Sequence, residues 1–135
     1  MLDPLFVVAI HDEILAETGG LPGLAGGGMG GVEAALFRIE MHAQYAGLDD
    51  VFGVAGLYAE AIARGHVFND ANKRTALTCA LTYLYRQGIA IPRIPELEEV
   101  VVMLAAGDIS GTAFADFLDS VWHEHGKPTV DPELD

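Results

Sequence analysis

Apolar residues along this chain recur three and four positions apart, in blocks separated by glycine, proline and acidic residues, a period that is helical rather than extended. The first block, Phe6, Val7, Ile10, Ile14 and Leu15, begins behind Asp3-Pro4. Asp suits an N-cap and Pro the first helical position, and Gly19-Gly20 then stops the helix. Residues 19–31 hold eight glycines in thirteen, so this segment is expected to be a loop, either mobile or in close contact with something. A second helix is expected over 32–46, with Ala35, Leu36, Ile39 and Met41 inward and Gly47 closing it. A third starts at an Asp49-Asp50 cap and carries Val51, Val54, Leu57, Tyr58 and Ile62 to Gly65.

The fourth block, about 72–87, contains Ala76, Leu77, Ala80, Leu81 and Leu84, is the most apolar, and is expected to be the central, most buried helix. Gly88 ends it. Residues 89–94 are too short and too broken by Pro92 and Pro95 for a sheet strand of any weight. A fifth helix begins near Pro95, with Glu96, Glu98 and Glu99 complementing its positive end, and reaches Gly107. Ser110 or Thr112 caps a sixth, whose Phe114, Phe117, Leu118, Val121 and Trp122 form a core-facing stripe. Lys127–Asp135, rich in proline and acid, is expected to be a frayed, disordered tail. The pattern predicts an all-α fold, one compact domain over 1–126 with about six helices around the helix at 72–87, followed by the acidic tail 127–135.

Composition adds to this picture. The chain is 135 residues long and 51% hydrophobic, ample for a single core. No apolar run approaches a membrane span, and Asp3 and Pro4 leave no room for a basic signal-peptide start, so a cytoplasmic location is expected. The net charge of −13 disfavours nucleic acid and anionic membrane as partners. Of the seven basic residues, Arg64, Lys73 and Arg74 crowd into eleven positions, which concentrates positive potential in one place. The single cysteine, Cys79, excludes an intramolecular disulfide and reads as a small buried hydrophobe. His11 reads as an ordinary packed or surface helical residue. His123 and His125, two apart on a helix, face different sides.

Residues 66–77 carry the chemistry. They read His-Val-Phe-Asn-Asp-Ala-Asn-Lys-Arg-Thr-Ala-Leu and run directly into the fourth helix. Free N–H groups and the positive end of the macrodipole meet at a helix start, so the first turn is an anion site. Lys73 and Arg74 add formal charge there, which suits a polyphosphate. Two cations at a helix N-terminus are unfavourable without an anion to offset them. Ala71, Asn72, Lys73, Arg74 and the neighbouring Arg64 are the candidate phosphate-binding residues. Ala71 permits a close backbone approach, and Asn69 is a turn residue. Asp70 is the candidate Mg²⁺ ligand beside phosphate oxygens, with a helix N-cap as its other possible role. His66 is the candidate general base, able to take a proton from an incoming hydroxyl, and Phe68 is its apolar anchor.

These residues resemble the signature of the Fic/Doc family, His-x-Phe-x-Asp/Glu-Gly/Ala-Asn-x-Arg, which His66, Phe68, Asp70, Ala71, Asn72 and Arg74 fill in order. Gly19-Gly20-Leu21-Pro22-Gly23 resembles the N-terminal loop of the Doc branch, the toxins of toxin–antitoxin pairs. Two departures from the AMP-transferring majority, Lys73 in place of Gly and Leu77 in place of a second Arg, are shared with the Doc branch. The resemblance implies a helical fold and a protein serine/threonine kinase using ATP and Mg²⁺. Its implied target is a threonine of elongation factor Tu, so that translation stops. It also implies a loop at 19–31 that borders the active site and helps receive the target. Ser120–His125 misses the built-in inhibitory helix pattern at its last position, so inhibition is expected from a separate, small Phd-like antitoxin. AMP transfer to protein, or an inactive Fic-fold protein kept for interaction, stays open as an alternative; the intact set His66, Asp70 and Arg74 argues against inactivity.

Overall fold

The computed structural model of the chain describes residues 1–45 and 50–130. Its regular elements are α1 (Pro4–Thr18), α2 (Gly28–Tyr45), α3 (Val51–Gly65), α4 (Asn72–Arg86), α5 (Glu96–Ala106) and α6 (Gly111–Glu124), with no strand among the described residues. Local chemistry sets several of their ends. Asp3 accepts from the Leu5 N–H at 2.8 Å, Asp50 from Phe52 at 3.1 Å, and Ser110 from Ala113 at 3.0 Å. Each such cap contributes about 1 kcal/mol. Of the two candidates for the sixth helix, Ser110 is the cap. Helix α4 is different: its N-cap is Ala71, and no side chain caps it.

The all-α bundle is built on two adjacent helices. Helix α3 packs on α2, α4, α5 and α6, while α4 packs on α1, α3 and α5, so the helix expected at the centre shares that place with α3. Small residues let α3 be approached closely on several sides: Ala55, Gly56, Ala59 and Ala63 are all buried on it. A Cβ on Gly56 would run into the Gly111 carbonyl oxygen of α6, so this crossing requires glycine. From α4, Ala76, Cys79, Ala80 and Leu84 are fully buried. Burying one leucine of this kind stabilises by about 1.5–3 kcal/mol. Burial also pushes the Cys79 thiol up to about 12, which keeps it protonated and inert, as its apolar setting suggests.

Three segments differ from the sequence pattern. Residues 28–31, expected in the loop, form the first turn of α2. Glycine in a helix is unfavourable by about 1 kcal/mol each, but burial of Val32, Ala35, Leu36, Ile39 and Ala43 behind them outweighs it. Gly31 donates to the Gly27 carbonyl at 3.0 Å, and a Cβ on Gly27 would lie only 3.2 Å from the Gly31 Cα, so glycine lets the turn close. Met41 lies off that buried face and is 43% exposed, with Ala43 in the inward position instead. The expected C-terminal signals Ala46 and Gly47, and Asp49 of the expected third cap, fall outside the described residues.

The third difference is at the end of the chain. Residues 127–130 are held rather than frayed: Pro128 O accepts from Trp122 Nε1 at 2.8 Å and from Ala90 N at 3.1 Å, and Val130 N donates to Gly88 O at 3.0 Å. The acids and proline of 131–135 lie outside the described residues. No helix among the described residues is long and apolar enough to cross a membrane.

Candidate active site

The segment between α3 and α4 is bracketed by two strained residues. His66, the C-cap of α3, has φ 49° and ψ 43°, and Ala71, the N-cap of α4, has φ 63° and ψ 25°. Both are left-handed, a conformation that costs a non-glycine residue roughly 1–2 kcal/mol. Such backbone persists only where surrounding contacts over-determine it. Those contacts are present here. The Asn72 side chain accepts from Phe68 N at 3.1 Å and donates to Phe68 O at 3.0 Å, closing the loop on itself. Phe68, 2% exposed, stacks on the His11 ring of α1 with centroids 3.8 Å apart.

Residues 20–25 brace the loop from the other side. Ala25 N donates to Val67 O at 3.0 Å, Asn69 N to Gly23 O at 3.1 Å, and the Asn69 side chain to Pro22 O at 3.0 Å. Leu21 N donates to Asp70 Oδ2 at 3.0 Å, and Ala71 N to Asp70 Oδ1 at 2.8 Å. Gly20 is needed for this arrangement, since it has φ +132° and a Cβ there would sit 2.8 Å from Asp70 Oδ2. The Leu21 N–H, then the Ala71 N–H, and then the Arg74 charge hold the Asp70 carboxyl below the usual carboxylate range. Asp70 is therefore an oriented, firmly ionised carboxylate.

An open cavity of about 460 Å³ lies over the start of α4, lined by His66, Asp70, Asn72, Lys73 and Arg74, with Val102 of α5 among the groups of its far wall. The backbone N–H groups at 72–74 precede the first intrahelical bond, which runs from Thr75 N to Ala71 O at 3.0 Å. With no side-chain cap and two cations beside it, this end of α4 favours an anion. Arg74 also donates to the Thr18 hydroxyl at the end of α1. No group of three or more His, Cys, Asp or Glu side chains is gathered here among the described residues. Asp70, an oriented carboxylate on this cavity, is the residue that could hold a cation sharing phosphate and water oxygens.

The model of the Fic/DOC family matches residues 1–84, and the chain is 42% identical over 117 residues to "Protein kinase doc" of Escherichia phage P1, covering 87% of this chain and 91% of that protein. The chain belongs to the Fic/DOC family.

Within this Fic/DOC site the sequence-derived set divides. His66, Asp70, Ala71, Asn72, Lys73 and Arg74 all line the one cavity. Arg64 does not. Its guanidinium turns to the α5–α6 connection, donating to Leu104 O at 2.9 Å, to Ile109 O, and to Glu60 Oε1 at 2.7 Å. Closeness in sequence misplaced it, because Arg64 lies in the last turn of α3 and its side chain is bonded to α5 and the chain after it. Asn72 borders the cavity with its side-chain amide already engaged by Phe68, so its backbone N–H is what it offers an anion. The Ala71 N–H is likewise taken by Asp70, which leaves 72–74 for the anion. Asp70 is not the N-cap of α4.

Two contributors went unread in the sequence. His11, 1% exposed, reaches the site across 59 residues through Asp70 O. Its sequence signal was a histidine among the inward positions of α1, next to Ile10. Thr18 had no signal at all.

Proposed function

We propose that the chain is the toxin of a toxin–antitoxin pair and a protein kinase, transferring the terminal phosphate of ATP to a threonine hydroxyl of elongation factor Tu. The observation that carries this reading is the convergence of His66, Asp70, Lys73 and Arg74 on one cavity at an uncapped helix N-terminus. The relative bearing the name of a protein kinase supports it. In the proposed reaction His66 accepts the proton of the target hydroxyl. The freed oxygen attacks the γ-phosphorus, the bond from that phosphorus to the β–γ bridging oxygen breaks, and ADP leaves. Little covalent chemistry falls to the protein, so catalysis rests on positioning and charge. Lys73, Arg74 and the amides of 72–74 hold phosphate oxygens, and Asp70 would hold Mg²⁺, which when bound neutralises phosphate charge.

Transfer of phosphate rather than AMP is favoured by two positions. Lys73 presents a bulky cation to the cavity where a glycine would leave room, and Leu77 is 3% exposed, offering the core an apolar side chain instead of a second guanidinium. The grip on a distal triphosphate tail is weaker than in the AMP-transferring pattern, so the terminal phosphate is the group placed beside His66. Supplying ATP labelled on the γ- or the α-phosphate, with purified elongation factor Tu, tests this. Label should reach the target from the γ-position only; label from the α-position would overturn the kinase reading in favour of AMP transfer.

Control by a separate Phd-like antitoxin belongs to the same reading. A groove of about 650 Å³ runs between α1, α4 and α5, lined by Phe6, Ile14 and the exposed Val102 together with Arg74. An antitoxin segment that folds into a helix there would cover the cation at the phosphate site. A cytoplasmic setting follows from the proposed target. Expression of the chain alone should arrest growth, and co-expression with the neighbouring small gene should relieve it.

A further inference from the structure

The peptide unit joining Asp70 to Ala71 is one rigid plane, and both of its polar ends are engaged. Its carbonyl oxygen lies 2.9 Å from His11 Nε2, and its N–H donates at 2.8 Å to Asp70's own Oδ1. A carbonyl only accepts, so Nε2 carries the proton. The His11 ring is fixed in turn: it is 1% exposed and lies flat on Phe68, with 6° between the planes.

This plane is under stress. Ala71 sits at φ 63°. A flip of the 70–71 peptide changes ψ of Asp70 and φ of Ala71, and would return Ala71 to the negative φ that an alanine prefers. The same flip would turn the Ala71 N–H away from Oδ1 and leave the carboxylate held by Leu21 alone. The hydrogen bond from His11 opposes that flip, because the carbonyl oxygen would have to leave it and the buried Nε2–H would be left without an acceptor.

We propose that His11 is a positioning residue for Asp70: by holding the strained 70–71 peptide it keeps the carboxylate aimed at the cavity for a divalent cation. The proposal rests on the reading of Asp70 as the metal ligand in the kinase site, and reaches beyond it to a residue on a different helix. No part of the family signature contains His11, and its ring need not touch the nucleotide. Removing its donor while keeping its ring volume should loosen the carboxylate without opening the core.

The test compares His11→Phe, which keeps the stacked ring and loses the donor, with His11→Gln, which keeps an N–H donor at similar reach. Amide hydrogen exchange of the full chain is followed by NMR, and MnCl₂ is titrated as a probe through line broadening at residue 71. In His11→Phe, exchange at Ala71 and Leu21 should quicken about tenfold, the size of one lost hydrogen bond, and MnCl₂ should be needed at roughly tenfold higher concentration. Exchange at Leu84 should stay at the wild-type rate, and His11→Gln should restore both readouts. Wild-type exchange at Ala71 in His11→Phe overturns the proposal, and so does equal acceleration at Leu84, which marks a general packing role. His11→Met, apolar and donor-free, takes the place of His11→Phe if that variant does not fold. Absence of manganese broadening at residue 71 in the wild type would refute the metal reading of Asp70, while the exchange rates would still decide the role of His11.

Discussion

The end of α3 and the start of α4 each carry arginine, only ten residues apart, yet the two regions treat that charge in opposite ways. Arg64 meets the closing turn of α5 and the chain after it, where carbonyl oxygens of Leu104 and Ile109 point outward, and Glu60 balances its charge. Glu60 in turn accepts from Gly111 N at 3.0 Å, tying α3, α5 and α6 together. A cation at a helix C-terminus suits the macrodipole. Arg74, with Lys73, sits at a helix N-terminus, where the same dipole opposes it, and the contact given to Arg74 is a neutral hydroxyl. Arg64 completes the fold, whereas Arg74 has, among the described residues, a hydroxyl partner and the nearby Asp70 charge. A cation that the helix dipole opposes is what remains for a ligand.

The most forceful way to test that division is at the open end. His66→Ala should lower transfer to the target by about 10²–10⁴-fold, since one general base contributes that much. Its thermal midpoint should stay within a degree or two of wild type, because the ring is exposed. Kinetics and a melting curve on the same preparation check both. Wild-type transfer by His66→Ala would remove the residue from the mechanism.

At the closed end the effect should reverse in kind. Arg64→Ala leaves two carbonyls and the Glu60 carboxylate short of donors, with a cost of about 2 kcal/mol in urea unfolding, discounted because the arginine side chain is 34% exposed. Nucleotide affinity of the folded fraction should be unchanged. A variant that kept its stability but lost nucleotide binding would erase the distinction between the two arginines. Arg74→Ala is the mirror case. It should weaken ATP binding while stability holds or rises by about 0.3–1 kcal/mol, as the clash with the helix dipole is relieved. Titration calorimetry and urea midpoints measure the two halves of that expectation.

The same contrast explains what the sequence could convey. Helix starts at Asp3, Asp50 and Ser110 were readable because a cap is a bond between near neighbours. That His66 and Asp70 to Arg74 meet at one cavity was readable for the same reason, since they lie on a short loop leading into one helix. What failed was every feature set by contacts far along the chain. Arg64 looked like part of the cationic cluster until its bonds to Leu104 O and Ile109 O turned it the other way. His11 looked ordinary until Phe68 and Asp70, 57 and 59 residues on, closed over it. Gly28 to Gly31 carried loop chemistry, and only burial of the face behind them made a helix of it. The anchoring of 127–130 depends on Trp122 and on residues 88–90, which no local pattern links to it.

The smallest expected effect concerns Asp70 and acid. Its carboxyl titrates below the usual range because the Leu21 and Ala71 N–H groups bond the ionised form, with the Arg74 charge adding to them. For a group whose folded value is depressed, the stability it contributes is fully present above its unfolded value, about 4, and is lost as pH falls through the folded one. Asp70→Asn removes the titrating group while keeping an acceptor oxygen. The wild type should therefore exceed Asp70→Asn in urea midpoint by a constant margin at pH 6 and above, and that margin should shrink below about pH 4. Because the carboxylate faces solvent, the margin should be small. A margin that stayed the same at pH 3, or widened, would mean that the amides of 21 and 71 do not hold the ionised form. The open end of α4 would then lack an oriented anion, and the pairing of a fixed carboxylate with the cations Lys73 and Arg74 would lose its physical basis.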